Sequence, residues 1–222
     1  LDFTPQPDDA RRSEGEWVEA VLSATRTAVH RRLVADEPVG ALLSGGVDSS
    51  LIVGLMAEQG ANLKTYSIGF EDVGAEKGNE FEYSDCVAQH FATDHHQIRI
   101  DSTNLLGRLP EAITAMSEPM VSHDCVAFYL LSEAVSKHSK VVQSGQGADE
   151  VFGGYHWYPP MLDSRHGPAD YAKGFCDRSH ADYQALVQAQ HVSAEDVSRA
   201  FIARHFAAPG ATRPVDQALR ID

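Results

Sequence analysis

The feature that most constrains this chain is an alternation of short apolar runs with amphipathic stretches between residues 39 and 144. "VGALL" (39–43) reads as a buried strand, "SSLIVGLMAEQG" (49–60) as a helix ending at Gly60, and "LKTYSIGF" (63–70) as the next strand. "FEYSDCVAQHFA" follows as a helix, "HHQIRI" (95–100) as a third strand, 103–117 and 124–138 as helices, and "KVVQS" (140–144) as a fourth strand. Strand and helix alternating at these lengths require right-handed crossovers and so an α/β fold with a doubly wound parallel sheet. Ligands of such sheets sit beyond the carboxyl ends of the strands. "SGGVDSS" (44–50) and "SGQGADE" (144–150) both fall there.

Around this core the signal is weaker. Residues 1–13, rich in Pro and Asp, read as a linker or arm, and 14–35 as an amphipathic helix whose Val18, Val21, Leu22, Ala28, Val29 and Leu33 lie on the core. Beyond Tyr155 the stretch "YHWYPPMLDSRHGP" reads as irregular and 180–206 as helical. The expected organisation is an arm (1–13), a nucleotide-type domain (14–160) and a mainly helical portion (161–222).

Composition excludes several classes. The 222 residues are 43% hydrophobic and 23% charged, enough to bury a core, and the formal charge of −14 opposes a polyphosphate partner. Arg11–Arg12 and Arg31–Arg32 are isolated basic pairs, so nucleic acid is not expected. Cys86, Cys125 and Cys176 lack CxxC spacing and read as reduced structural thiols of a cytoplasmic protein. No apolar run approaches the ~20 residues that span a bilayer, and the acidic start has no apolar signal core. A chain that starts without Met reads as a piece of something longer.

In "SGGVDSS", two glycines after a strand let the backbone turn and bring N–H groups near an anion, while the next helix aims its positive end at the same place. The GxxxxGK[ST] pattern is absent, and with it the lysine that reaches a terminal phosphoryl group. Ser44, Ser49 and Ser50 offer hydroxyls. Asp48 is a carboxylate in an anion site, a combination reconciled by Mg²⁺, which takes one or two carboxylates plus phosphate oxygens. A plain turn with Asp and Ser as helix caps would explain the glycines and one serine, but not all seven residues.

"SGGVDSS" resembles the pyrophosphate loop of the ATP pyrophosphatase group, whose members cleave ATP between its α and β phosphates and adenylate an acceptor. NAD synthetases, GMP synthetases, tRNA thiolases and asparagine synthetases carry similar loops. "VVQSGQGADEVFGGYHWY" narrows the choice, because it resembles the second signature of the asparagine synthetase family: a strand ending in Ser-Gly, a variable residue before Gly, then Asp-Glu and Phe-Gly-Gly-Tyr. The similarity continues through "KTYSIGFED" and "AFYLLSEAVSKHSKVVQSGQGADE", about residues 36–158. It implies the synthetase domain of a class II glutamine amidotransferase, with the adenine-nucleotide α-hydrolase (ATP pyrophosphatase) fold. Such a domain uses ATP and Mg²⁺ to amidate a small carboxylate acceptor with ammonia from an N-terminal glutaminase domain, and a homodimer is compatible with it.

Carried over residue by residue, the resemblance implies that Leu43, Ile68, Ser144 and Gly145 hold the adenosine. Ser44, Gly45, Gly46, Asp48 and Ser49 would hold pyrophosphate, and Asp48 and Asp149 would bind Mg²⁺. Gln146 departs from the family, which commonly has Glu or Asp there; its amide can donate and accept but is no base at neutral pH. Glutamine at this position resembles the N-acetylglutaminylglutamine amidotransferase branch, whose acceptor is peptide-like. The glutaminase domain, an "Arg-Val-Pro-Phe-Leu-Asp" stretch and an active-site lysine have no match here. Two other readings stay open: another adenylating member of the group, and a nucleotide-binding module without catalysis.

Several residues have ordinary structural readings beside a functional one. His95 and His96 read as surface or satisfied core histidines, since no companion ligand stands at metal spacing. Trp157 could stack a base, or pack under the second loop. The acids of "FEDVGAEKGNEFEYSD" read as a solvated loop and a helix start, with Glu82 and Asp85 able to line the site. Asp124 reads as a helix cap or as an acceptor-side residue.

Overall fold

A computed structural model describes residues 9–60, 62–70, 78–100, 105–118 and 124–221. The expectations for residues 1–8, for most of the acidic loop (71–77), for the first residues of the 103–117 helix and for 119–123 lie outside the described residues. The chain divides into two units between Gln146 and Gly147, whereas the reading from sequence places its boundary after residue 160.

The first unit contains four strands among the described residues: β1 (Val39–Leu42), β2 (Lys64–Phe70), β3 (Asp94–Ile100) and β4 (Val141–Gln143). All pair in parallel, in the order β3-β2-β1-β4. The chain therefore steps outward from β1 to β2 and β3, then returns to place β4 on the other flank of β1. Ala41 pairs with Thr65 on one side and Gln143 on the other. Such a reversal is the switch point at which parallel sheets open a crevice.

Helices α1 (Glu14–Arg32), α2 (Val47–Ala57), α3 (Phe81–His90), α4 (Leu105–Ala115) and α5 (Cys125–Val135) belong to this unit. A reciprocal capping box starts α1: Ser13 Oγ accepts from the Glu16 N–H and the Ser13 N–H donates to the Glu16 carboxylate at 2.7 Å. The expected apolar face of α1 is only half correct. Leu22, Val29 and Leu33 pack on the core formed by Ala41, Leu43, Val53, Leu55 and Met56, but Val18 is 58% exposed and Trp17 and Val21 are exposed as well. The reason is length: nineteen residues of α1 extend about 28 Å at ~1.5 Å per residue, and the eleven of α2 only about 16 Å, so α1 outruns its partner. An Arg26–Glu58 ion pair at 2.9 Å joins the two helices. The buried Gln143 amide donates to the Val29 carbonyl at 3.2 Å, tying β4 to α1.

The second unit is helical: α6 (Ala148–Phe152), α7 (Tyr158–Met161), α8 (Gly167–Phe175), α9 (His180–Leu186), α10 (Val197–Phe206) and α11 (Pro214–Ala218). Its core gathers Tyr158, Met161, Tyr171, Ile202, Phe206, Val215 and Ala218. Part of the "irregular" stretch is thus helix, and the 180–206 pattern is two helices separated by a 3₁₀ turn at Ala189–His191. Trp157 packs here, stacked on Tyr155 with centroids 4.2 Å apart and edge-on to Phe175 at 5.3 Å. The cysteines are free thiols; burial pushes the Cys176 thiol up, while Cys86 is exposed on α3. Among the described residues, no helix is long and apolar enough to cross a membrane.

Candidate active site at the strand switch point

The chain leaves β1 at Leu43, whose side chain is closed in the core at 1% exposure and whose N–H donates to the Tyr66 carbonyl at 2.8 Å. Leu43 can therefore present backbone, not side chain, to a ligand. Gly45 then takes φ +92°, and a Cβ there would stand 2.6 Å from the Ser84 nitrogen and 2.5 Å from the Tyr83 Cβ. Both the handedness and the closeness of α3 call for glycine. Gly46 is the N-cap of α2 and has no side chain to cap it, so first-turn N–H groups carry no side-chain cap at the positive end of the helix. A plain capped turn would use Asp48 or a serine there; neither does so. Asp48 is exposed in the first turn.

The serines bond within the loop. Ser44 Oγ and Ser49 Oγ are 3.0 Å apart, and Ser49 and Ser50 donate to the Gly46 carbonyl at 3.2 and 2.7 Å. The Ser44 N–H also donates to Ser49 Oγ and the Gly46 N–H to Ser44 Oγ, each at 3.3 Å, so these bonds brace the loop and leave the first turn of α2 and the exposed Asp48 carboxylate as its outward chemistry. The donor set suits Mg²⁺: a hard carboxylate oxygen beside an anion cradle, without nitrogen or sulfur ligands. Among the described residues no group of three or more His, Cys, Asp or Glu stands at metal spacing.

From β4 the chain enters Ser144, Gly145 and Gln146. A Cβ on Gly145 would come within 2.9 Å of the Asp48 carbonyl carbon and the Ser49 nitrogen, so this backbone lies directly on the start of α2. Ser144 Oγ accepts the Gln146 N–H at 3.1 Å, a local turn that leaves Gln146 exposed. Ile68, at the same end of the sheet, is half-buried against Ile98, its partner in register. The structure thus brings together Leu43, Ser44, Gly45, Gly46, Asp48, Ser49, Ser144 and Gly145.

Asp149 lies in the second unit, in the first turn of α6, between two glycines in the left-handed region, Gly147 (φ +91°) and Gly153 (φ +67°). Gly153 ends the helix, and Gly154 leaves the space that the Asp149 carboxylate occupies. Glu150 accepts the Tyr155 hydroxyl at 2.6 Å. "DEVFGGY" is therefore a one-turn helix closed so that Asp149 is held against glycine backbone.

Other candidates go elsewhere. Asp85 accepts from the Gln97 amide at 2.7 Å and lies 3.7 Å from His95, facing β3. Asp124 holds the N-cap position of α5 in helical backbone (φ −73°, ψ −11°) and makes no capping bond, which corrects the capping expectation. His95 is a core histidine hydrogen-bonded on both ring nitrogens, to Thr65 and to Ser67 and Ser84.

The asparagine synthase family model matches residues 20–221, nearly the whole chain. The chain belongs to the asparagine synthase family. It is 33% identical over 149 residues to asparagine synthetase [glutamine-hydrolyzing] 1 of Bacillus subtilis, covering 67% of this chain and 23% of that protein. It is 40% identical over 130 residues to a putative asparagine synthetase [glutamine-hydrolyzing] 2 of Methanocaldococcus jannaschii, covering 58% and 24%. A family relative with another name is the carboxyethyl-arginine beta-lactam-synthase of Streptomyces clavuligerus, 33% identical over 147 residues, covering 64% and 27%. The chain spans about a quarter of the length of these curated relatives. Among solved structures, an NMN synthetase from Francisella tularensis aligns over 94% of this chain and 92% of that one, at 10% identity and a TM-score of 0.44.

Proposed function

We propose that this chain is the ATP-using part of an amide-forming ligase. The observation that carries the reading is the closure of Gly145 onto the first turn of α2, which sets the start of the second signature against the uncapped helix end that follows the first. The acceptor is a small carboxylate. Its oxygen attacks the α-phosphorus of ATP, the bond from that phosphorus to the bridging oxygen breaks, and pyrophosphate leaves with the electron pair. Ammonia then adds to the acyl carbon and loses a proton as AMP departs. The names of the relatives support glutamine as the source of that ammonia, through a glutaminase domain in the full-length protein.

The roles assigned to this chain's residues are binding and orientation. Backbone N–H groups of Gly45 and the first turn of α2 receive pyrophosphate, while Gly46, whose N–H donates to Ser44 Oγ, shapes the turn with Ser44 and Ser49. Asp48 and Asp149 are the proposed carboxylate ligands for Mg²⁺, which would neutralise charge on the departing pyrophosphate. Leu43, Ile68, Ser144 and Gly145 form the adenosine side. Gln146, exposed at the end of the β4 loop, would recognise a peptide-like acceptor through its amide rather than remove a proton. Catalysis then rests on positioning and on charge stabilisation.

The test is product analysis of the full-length protein with Mg²⁺, ATP, glutamine and a panel of small carboxylates. AMP and pyrophosphate in equal amounts, dependent on the carboxylate, are expected. ADP and phosphate as products would overturn the reading.

A further inference from the structure

The glycine loop is braced from a second direction, by a polar cluster between β2, β3 and α3. Phe81 anchors the start of α3 by filling the space over Gly69, where a Cβ would come 2.5 Å from its ring, and the Phe70 N–H donates to the Gly78 carbonyl at 2.7 Å. One turn on, Ser84 is 0% exposed and meets two partners. Its backbone nitrogen lies against Gly45, and its hydroxyl lies 3.3 Å from His95 Nε2 and 3.4 Å from Ser67 Oγ. One buried residue thus touches the loop with its main chain and the strands with its side chain.

The cluster is continuous on both sides of the imidazole. His95 Nε2 lies 3.1 Å from Ser67 Oγ and 3.3 Å from Ser84 Oγ, and Ser84 Oγ also donates to the Phe81 carbonyl at 3.2 Å. His95 Nδ1 lies 2.8 Å from Thr65 Oγ1, which is itself 2.8 Å from Thr93 Oγ1. The ring therefore links the hydroxyls of β2 to Ser84 and the first turn of α3.

We infer that His95 is a positioning residue for the glycine loop, acting through Ser84 to hold α3 against Gly45. No ligand need touch it. It sets the distance between the Tyr83–Ser84 backbone and the loop, and so the direction of the loop's N–H groups. In its effect on turnover the inference rests on the nucleotide reading above; in its effect on the loop it stands alone.

The experiment compares His95→Gln, His95→Asn and Ser84→Ala in the full-length protein. Glutamine reaches the Nε2 position and keeps a hydrogen-bonding amide beside Ser84, asparagine reaches only the Nδ1 position, and Ser84→Ala deletes the hydroxyl with little change of volume. Loss of one neutral hydrogen bond corresponds to about a five- to tenfold change. Amide hydrogen exchange at 44–50 without nucleotide is expected to quicken by about that factor in His95→Asn and Ser84→Ala and much less in His95→Gln. The KM for ATP should rise alongside while the acceptor KM stays level. Equal exchange in all three variants and wild type, or His95→Gln matching His95→Asn, would overturn the inference. Absence of ATP turnover in wild type would instead overturn the nucleotide reading and leave the exchange result to decide this one. If His95→Asn fails to fold, Ser84→Ala reads the same link.

Discussion

Gly145 lies on the backbone nitrogen of Ser49, so close that a Cβ would stand 2.9 Å away. The loop after β4 and the loop after β1 are therefore one packed object. A change in either moves the other.

Gly145→Ala should show this directly. Its neighbours are backbone atoms of Asp48 and Ser49, which cannot turn aside as a side-chain end would. Overpacking of this kind costs about 1–3 kcal/mol. A lower melting temperature is expected, with pyrophosphate release slowed by about tenfold or more because the loop is displaced. Unchanged stability and turnover would show that the two loops are not in contact in solution.

Asp48→Asn should separate chemistry from folding. The side chain is exposed in the first turn of α2, so stability should move by no more than about 0.5 kcal/mol. Mg²⁺-dependent AMP formation should fall by about two orders of magnitude, and the Mg²⁺ concentration for half-maximal rate should rise. Asp149→Asn is expected to behave alike, since α6 is built around glycines that make room for that carboxylate. Wild-type Mg²⁺ titrations in both variants would remove these residues from the proposed metal site.

Gln146→Ala tests acceptor recognition. The amide stands exposed at the loop end, so its loss should leave ATP binding and stability nearly unchanged. A lost acceptor hydrogen bond is worth about 1–3 kcal/mol, read as a raised acceptor KM. Free aspartate should be a poor acceptor for the wild type. Efficient aspartate-dependent AMP release would assign Gln146 some other task.

His95 gives a pH dependence with a definite sign. Burial lowers its pKa below the ordinary histidine value, opposed by the Asp85 carboxylate and reinforced by neighbouring His96. The unfolded chain therefore binds the proton more readily than the folded one near and below pH ~6.5. This contribution to stability is complete above that value and is lost as pH falls toward the lowered folded pKa. Denaturant midpoints between about pH 7.5 and 5 should fall more for the wild type than for His95→Gln. Parallel curves would show that the ring does not titrate in this window.

The strands were legible to within a residue or two; β1 is an unbroken apolar run, whereas β3, "DHHQIRI" at the sheet edge, has no fully buried residue. Both glycine signatures were legible as well, since the turns at Gly45 and Gly153 need φ values that few other residues adopt. In the second unit 180–206 was legible as helical, though not as two separate helices, while the helices at Tyr158–Met161 and Gly167–Phe175 were not legible. Pro159, Pro160 and Pro168 lie in the stretch read as irregular, yet they occupy the first turns of α7 and α8, where the missing N–H costs nothing. The exposed half of α1 was hidden because periodicity reports an apolar face but not the length of the partner beneath it. The His95 cluster left a trace that could have been followed: Thr65 and Ser67 put two hydroxyls on one face of a strand that is otherwise core, and such groups need buried partners.

The strand order also decides when the site can exist. Of the four strands in this sheet, β1 leaves the ribosome before the others, but its neighbour β4 leaves after them, and the contact of Gly145 with Ser49 joins positions about a hundred residues apart in sequence. Until β4 emerges, a nascent sheet of β3-β2-β1 has β1 as an open edge and its loop leaning on one support only. Truncation shortly before residue 141 should therefore yield an aggregation-prone polypeptide, because the strand that completes the nucleotide crevice is also the one that protects the sheet during synthesis.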